Sequence, residues 1–231
     1  MPVSALKRLA VSAVRSKLER LPPEFVESIL YRSVLRHNFS NVYSSRLIRN
    51  REAVWDFSIE TLGGASKVLL LEFGVHEGYS MRYFLRAFRN AESRFYGFDS
   101  FEGLPEVWGH KAIGTFSTDG RVPEIDDRRV TWVKGWFQDT LPRFEIPGGF
   151  AAVLVHLDAD LYSSTLFTLA QLWGRVPSFY AIFDEFFGHE TRALYNFAQA
   201  FPSSIEFLAH DDPVLPRRVF CRITSRTYDR N

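Results

Sequence analysis

Apolar positions recur along this chain with two different periods, and the change of period divides it. Over residues 1–50, Leu6, Leu9, Val11, Val14 and Leu18 fall at roughly helical spacing, Pro22-Pro23 interrupts them, and Phe25, Ile29, Leu30 and Val34 resume the pattern. This predicts two helices in an N-terminal arm. From residue 51 onward, helix-length segments alternate with short apolar runs. A helical stretch over 51–62 ends at Gly63-Gly64 and leads into 67–73 (KVLLLEF), a run suited to a strand buried on both faces. Further runs stand at 94–98 (RFYGF), 130–133 (VTWV), 151–157 (AAVLVHL) and 179–183 (FYAIF), with helical segments at 79–90, 164–174 and 189–200. Such alternation predicts crossover connections and a parallel sheet. The last two runs, 205–209 (IEFLA) and 218–223 (RVFCRI), have only a Pro/Asp-rich turn between them and are expected as an antiparallel pair at the sheet edge. Residues 100–128, with Gly103, Pro105, Gly109, Gly114, Gly120 and Pro123, show no periodicity and are too long for a connector, so a lid is expected there.

Length and composition narrow the picture. The chain's 231 residues fit one α/β domain with an extension, read as an arm over 1–50 and a domain over 51–231. With 46% hydrophobic residues and 22 Phe, a Phe-rich core is expected and disorder is not. The net charge of +1 is uneven: nine basic and three acidic residues put +6 on residues 1–50, leaving −5 on the rest. The arm either presents a basic face to a membrane or anionic partner, or docks on the domain or a second subunit with its charges solvated. Homo-oligomerisation through these helices is the corresponding partner expectation. No global field selects for nucleic acid. The single Cys221 excludes an intrachain disulfide framework and a Cys-cluster zinc site, and is expected as a small hydrophobe in a late strand. No run approaches the roughly 18 apolar residues of a membrane span; the expected location is cytoplasmic.

Two constellations carry chemistry. The first is Glu72-Phe-Gly74-Val-His-Glu-Gly78-Tyr-Ser80, which follows the first strand of the domain and opens a helix. Its glycines permit a tight turn and close approach of backbone to a ligand, and the helix N-terminus offers free N–H groups to an anion. Asp99, with Ser100 after it, closes the next strand, where a carboxylate can accept both hydroxyls of a ribose. The spacing is E-x-G-x-x-x-G, not the dinucleotide G-x-G-x-x-G. An amino-acid carboxylate needs fewer N–H groups than a diphosphate and one hydroxyl, here Ser80. A nucleoside joined to an amino acid, S-adenosylmethionine, is the inferred ligand. Gly135-Trp136-Phe137 offers an aromatic wall for adenine, or plain core.

The second constellation is acidic: Asp158 and Asp160 follow the fourth strand, and Asp184-Glu185 the fifth, so all four reach one carboxyl edge. Clustered carboxylates repel unless a cation compensates, and Mg²⁺ on Asp158, Asp184 and Glu185 is the simplest compensation. Asp160 reads equally as a helix cap ahead of Ser163, Ser164 and Thr165. Of the histidines, His156 suits a hydrogen-bonded core position, His76 packing beside the cofactor, and His189 proton acceptance or substrate contact. Trp108 and His110 are candidates to touch substrate.

Residues 73–78 (FGVHEG), 98–105 (FDSFEGLP), 133–142 (VKGWFQDTLP) and 156–165 (HLDADLYSST) together resemble the macrocin-type sugar O-methyltransferases, a metal-dependent branch of the class I methyltransferases. The resemblance runs from about 67 to 200. It implies a Rossmann-like fold with a mostly parallel seven-stranded sheet and an antiparallel edge hairpin, here with the N-terminal helical extension. It also implies S-adenosylmethionine, Mg²⁺ and a sugar hydroxyl acceptor, with the metal on Asp158 and the acidic pair and Asp158 as the favoured base. The family pair is usually Asp-Asp, whereas this chain has Asp184-Glu185. Gly78-Tyr-Ser80 is also similar to catechol-type methyltransferases, but Leu161 stands where those carry a lysine base. The acceptor is a sugar, a glycolipid, a polysaccharide end or a glycosylated natural product. Two other classes compete: a metal-dependent glycosyltransferase, since Asp158-Ala-Asp160 is a D-x-D, and a non-catalytic binding module that keeps the fold.

Overall fold

The computed structural model describes residues 12, 17, 20–21, 23–64, 66–186 and 188–226. The first expected helix of the arm lies largely outside them. The second is α1 (Pro23–Asn38), and a 3-10 turn (Ser40–Ser44) leads from it to β1 (Arg46–Leu47). Along α1, Tyr31, Val34 and Leu35 are buried at i, i+3, i+4 spacing while Phe25, Ile29 and Leu30 are exposed. Val34, Leu35, Phe39 and Val42 belong to the same apolar cluster as Leu69, Leu71 and Phe73 of the domain, and β1 joins the domain's sheet. The chain therefore crosses the expected boundary at residue 50 without a break in packing.

Next come α2 (Arg51–Leu62), β2 (Val68–Phe73), α3 (Tyr79–Ala87), β3 (Arg94–Asp99), β4 (Val130–Lys134), the single turn α4 (Phe137–Thr140), β5 (Ala152–Leu157), α5 (Tyr162–Leu172), β6 (Ser178–Phe183), α6 (His189–Ala200), β7 (Ser203–His210) and β8 (Val219–Ser225). The Asn50 side chain starts α2 by accepting the Ala53 N–H at 2.6 Å, and Gly63 at φ 70° ends it.

Among the described residues the sheet has eight strands in the order β1-β7-β8-β6-β5-β2-β3-β4, one more than expected because β1 adds a two-residue parallel edge to β7. Only β8 runs antiparallel to its neighbours, so the late pair lies inside this added edge. Cys221 is buried on β8, as a small hydrophobe would be. Every residue of β2 is buried. Alternation sends Leu69, Leu71 and Phe73 to one face and Val68 and Leu70 to the other, each against its own cluster. The chain lays β3 and β4 on one side of β2, then returns to place β5 on the other. That reversal opens a crevice at the strands' carboxyl ends, where an open α/β sheet binds ligands.

Candidate active site

The glycine turn begins at Gly74, φ 90°, where any side chain would run into the Asp158 carbonyl. This clearance brings the loops after β2 and β5 into contact. Asp99, at the end of β3, ties down the turn: Oδ2 accepts from the Val75 and His76 N–H groups at 2.8 and 2.9 Å, and Oδ1 accepts from the Phe101 N–H at 2.7 Å. A carboxylate has about four acceptor positions. Three are used, which leaves Asp99 about one.

Glu72 and Ser80 do not stand as expected. The β2–β5 register sets Glu72 opposite His156, on the sheet face that carries Trp55 and Phe84. There the fully buried Glu72 accepts from the Ser80 hydroxyl at 2.5 Å, and its Oε1 lies 3.0 Å from His156 Nδ1. Burial opposes a charged imidazole at His156, but the hydrogen bond and charge of Glu72 outweigh it and hold that pKa above the ordinary range. Glu72 thus lies behind the cavity wall, and the Ser80 proton is spent on Glu72 instead of on a ligand carboxylate. His156 is the hydrogen-bonded core residue its strand position suggests.

At the other end of the crevice, Asp158 and Asp184 converge. One nitrogen, Arg51 Nη2, lies 2.8 Å from Asp158 Oδ2 and 3.0 Å from Asp184 Oδ2. Arg51 is the first residue of α2, and its guanidinium lies 4.8 Å from the Trp55 ring centre. Burial, then the neighbouring Asp158 charge, pushes Asp184 up to about 6, with Arg51 opposing. Asp158 is raised mainly by burial. Glu185 is raised by burial and by Asp184. Asp160, again by burial and then by Asp158, is pushed up to about 7. Asp160 adopts φ 60° and lines the cavity; Leu161 is the N-cap of α5 and the helix has no side-chain cap, so the capping role is not taken up.

The expected Mg²⁺ meets an obstacle here. The ion needs oxygen ligands at about 2.0–2.1 Å, and a guanidinium that keeps its charge and has no lone pair to offer stands between two of the three expected ligands. Among the described residues no group of three or more His, Cys, Asp or Glu side chains is arranged to hold a metal. As placed, Asp158, Asp184 and Glu185 do not fit a divalent ion.

Both ends open into one cavity of about 360 Å³. Gly74, Ser80, Asp99, Ser100, Trp136, Phe137, Asp158, Asp184 and Glu185 line it; Gly78 and Gly135 shape the adjoining turns without lining it. Trp136 and Phe137 are half-buried, and Phe137 also packs edge-on against Phe73 at 5.4 Å, so the pair serves wall and core together. His189 does not line the cavity: at the start of α6, its Nδ1 lies 3.4 Å from the Tyr162 N–H. The reserve base is therefore displaced from the site. Trp108 and His110 are also off the lining. The loop over 100–128 contributes Leu104, Lys111 and Phe116 to the lining, with the Lys111 ammonium 4.1 Å from the ring centres of both Trp108 and Phe116.

The sequence reading missed Arg51, Lys111, Phe116 and Arg218. For Arg51 one signal was available: a cation in the first turn of a helix opposes the macrodipole and calls for a local reason.

The sequence family described as "Methyltransferase domain" matches residues 71–178. A Streptomyces olivaceus protein, 8-demethyl-8-(2,3-dimethoxy-alpha-L-rhamnosyl)-tetracenomycin-C 4'-O-methyltransferase, is 36% identical over 140 residues, covering 51% of this chain and 52% of that one. Demethyldecarbamoylnovobiocin O-methyltransferase of Streptomyces niveus is 27% identical over 192 residues, covering 65% and 72%. The chain thus spans about half the length of the first relative. A solved structure from Klebsiella pneumoniae, of a candidate O-methyltransferase, aligns over 94% of this chain and 96% of its own with a TM-score of 0.51 and 14% identity. The fold is the Rossmann-like fold of class I methyltransferases.

Proposed function

We propose that this chain of methyltransferase fold is an S-adenosylmethionine-dependent O-methyltransferase that alkylates a hydroxyl of a sugar or glycosylated small molecule. One observation carries the reading: Gly74 and Asp99 at one end, and Asp158 and Asp184 at the other, face a single cavity. The lining supports a cationic ligand, with six acidic side chains (Glu77, Asp99, Asp158, Asp160, Asp184, Glu185) against three basic ones (Arg51, Lys111, Arg218). Asp99 keeps one acceptor position for a ribose hydroxyl. With Ser80 turned to Glu72, the first-turn N–H groups of α3 are the donors left for the amino-acid carboxylate. Trp136 and Phe137 offer the adenine wall. The acceptor class rests on the relatives, one of which acts on a rhamnosyl-bearing tetracenomycin.

When bound, S-adenosylmethionine supplies an electrophilic methyl group, its S–CH₃ bond breaking toward sulfur as the O–CH₃ bond forms. Asp158 takes the hydroxyl proton. Its Oδ2 is held by Arg51, while Oδ1 has no protein hydrogen bond among the described residues and is the free basic position. Burial raises its pKa and makes it a stronger base than an exposed carboxylate. The loop over 100–128 covers the acceptor and excludes water, and alignment of the reacting atoms to about 3–3.5 Å supplies much of the acceleration. The test is transfer of labelled methyl from S-adenosylmethionine to a panel of rhamnosylated and other glycosylated phenolic compounds, read by mass. A gain of one methyl on a sugar hydroxyl is expected; a panel with methyl only on phenol or nitrogen overturns the acceptor class.

A further inference from the structure

We infer that Arg51 is the resident cation of the acceptor end of this cavity, standing where a divalent ion would otherwise be needed, so that the site is complete without metal. The inference rests on the methyltransferase reading only for what the cavity holds. Its own basis is geometric. Two carboxylates on separate strands aim one oxygen each at a single nitrogen, at 2.8 and 3.0 Å. The guanidinium is anchored from behind by the Trp55 ring at 4.8 Å. Its Nε is buried and has no hydrogen-bond partner among the described residues, so the side chain is held by the two carboxylates and the ring rather than by a wider polar network. It occupies this place against the dipole of α2, whose N-terminus it begins. A guanidinium cannot shed its proton to become a ligand. An ion on the same two oxygens would therefore meet a fixed like charge instead of an exchangeable water. Arg51 holds the two strand tips together as carboxylates and lines the cavity they face.

The experiment titrates Mn²⁺ alone into the full chain after dialysis against a chelator, with free ion read by electron paramagnetic resonance and S-adenosylhomocysteine affinity read by calorimetry on the same samples. Wild type is expected to leave the Mn²⁺ signal as it is in buffer. Arg51→Lys, which keeps a cation there, should behave alike, whereas Arg51→Ala should bind one ion about tenfold or more tightly than wild type. One tightly held Mn²⁺ on wild type overturns the assignment, as does an Arg51→Ala protein that is folded by its melting curve and still binds no better. Should that variant fail to fold, the wild-type titration decides by itself. Tight Mn²⁺ with S-adenosylhomocysteine binding intact defeats the role of Arg51 alone; absent S-adenosylhomocysteine binding on wild type defeats the methyltransferase reading instead.

Discussion

Two arginines, Arg129 beside the start of β4 and Arg51 at the tips of β5 and β6, meet carboxylates in opposite ways. Arg129 closes the loop over 100–128 at the start of β4. It grips Asp127 through Nε and Nη2, the latter at 2.7 Å, and donates to the carbonyls of Leu85 and Phe88 at the end of α3, at 3.0 and 2.5 Å. Its guanidinium covers the Phe95 ring at 5.1 Å. One cation meets one anion at the helix end whose dipole favours it, and the Arg129 hydrogen bond holds the Asp127 carboxyl below its ordinary value. Arg51 sits at the disfavoured end of its helix and is shared by two carboxylates, both raised by burial. A charge that is fully matched serves the fold, and one left short of compensation marks the site.

The difference is open to direct attack, and the largest effect belongs to the site. Asp158→Asn removes the proposed base and is expected to lower kcat about 10²–10⁴-fold while the melting temperature and S-adenosylhomocysteine affinity stay near wild type. Equal loss of affinity would show that Asp158 is doing structural work like Asp127.

Arg129→Ala should do the reverse. It strands Asp127 and two helix carbonyls, for a cost of about 1–3 kcal/mol in denaturant unfolding. A loss below 1 kcal/mol would make this an ordinary surface pair and remove the contrast.

Asp127→Asn is milder, about 0.5–1 kcal/mol at neutral pH for a partly exposed pair, and its sign with pH is fixed. The folded carboxyl lies below the ordinary 3.8, so its stabilisation is present above that value and is lost as pH falls through the folded one. The gap between wild type and variant should therefore close as pH falls below 3.8 and through the folded value; a gap independent of pH would place the stabilisation in packing and not in charge.

Much of this molecule could be read in advance for a specific reason. Strands such as β2 and β5 are buried on both faces, so their apolar runs are unbroken, and the turn at Gly74 follows directly from such a run. What escaped depends on pairings that only the folded chain makes. Arg51 lies 107 positions from Asp158, and nothing local joins them. Ser80 turns inward because the register of β2 with β5 sets Glu72 beside His156. His189 fell outside the cavity because α6 begins at that residue, with its Nδ1 turned toward the Tyr162 N–H at the start of α5. The two-residue β1 is too short to leave a periodic signal. Residues that build the sheet are written locally, whereas those that balance charge across strand tips are not.

The central claim is that the crevice between the glycine turn and the strand tips binds a sulfonium nucleoside against Asp99. It is tested most directly by calorimetric titration of S-adenosylhomocysteine into wild type and Asp99→Ala, both in excess chelator. One site on wild type is predicted, weakened about tenfold or more in the variant by loss of a hydrogen bond to a charged group. No heat of binding on wild type, or equal affinity for the two proteins, would contradict it.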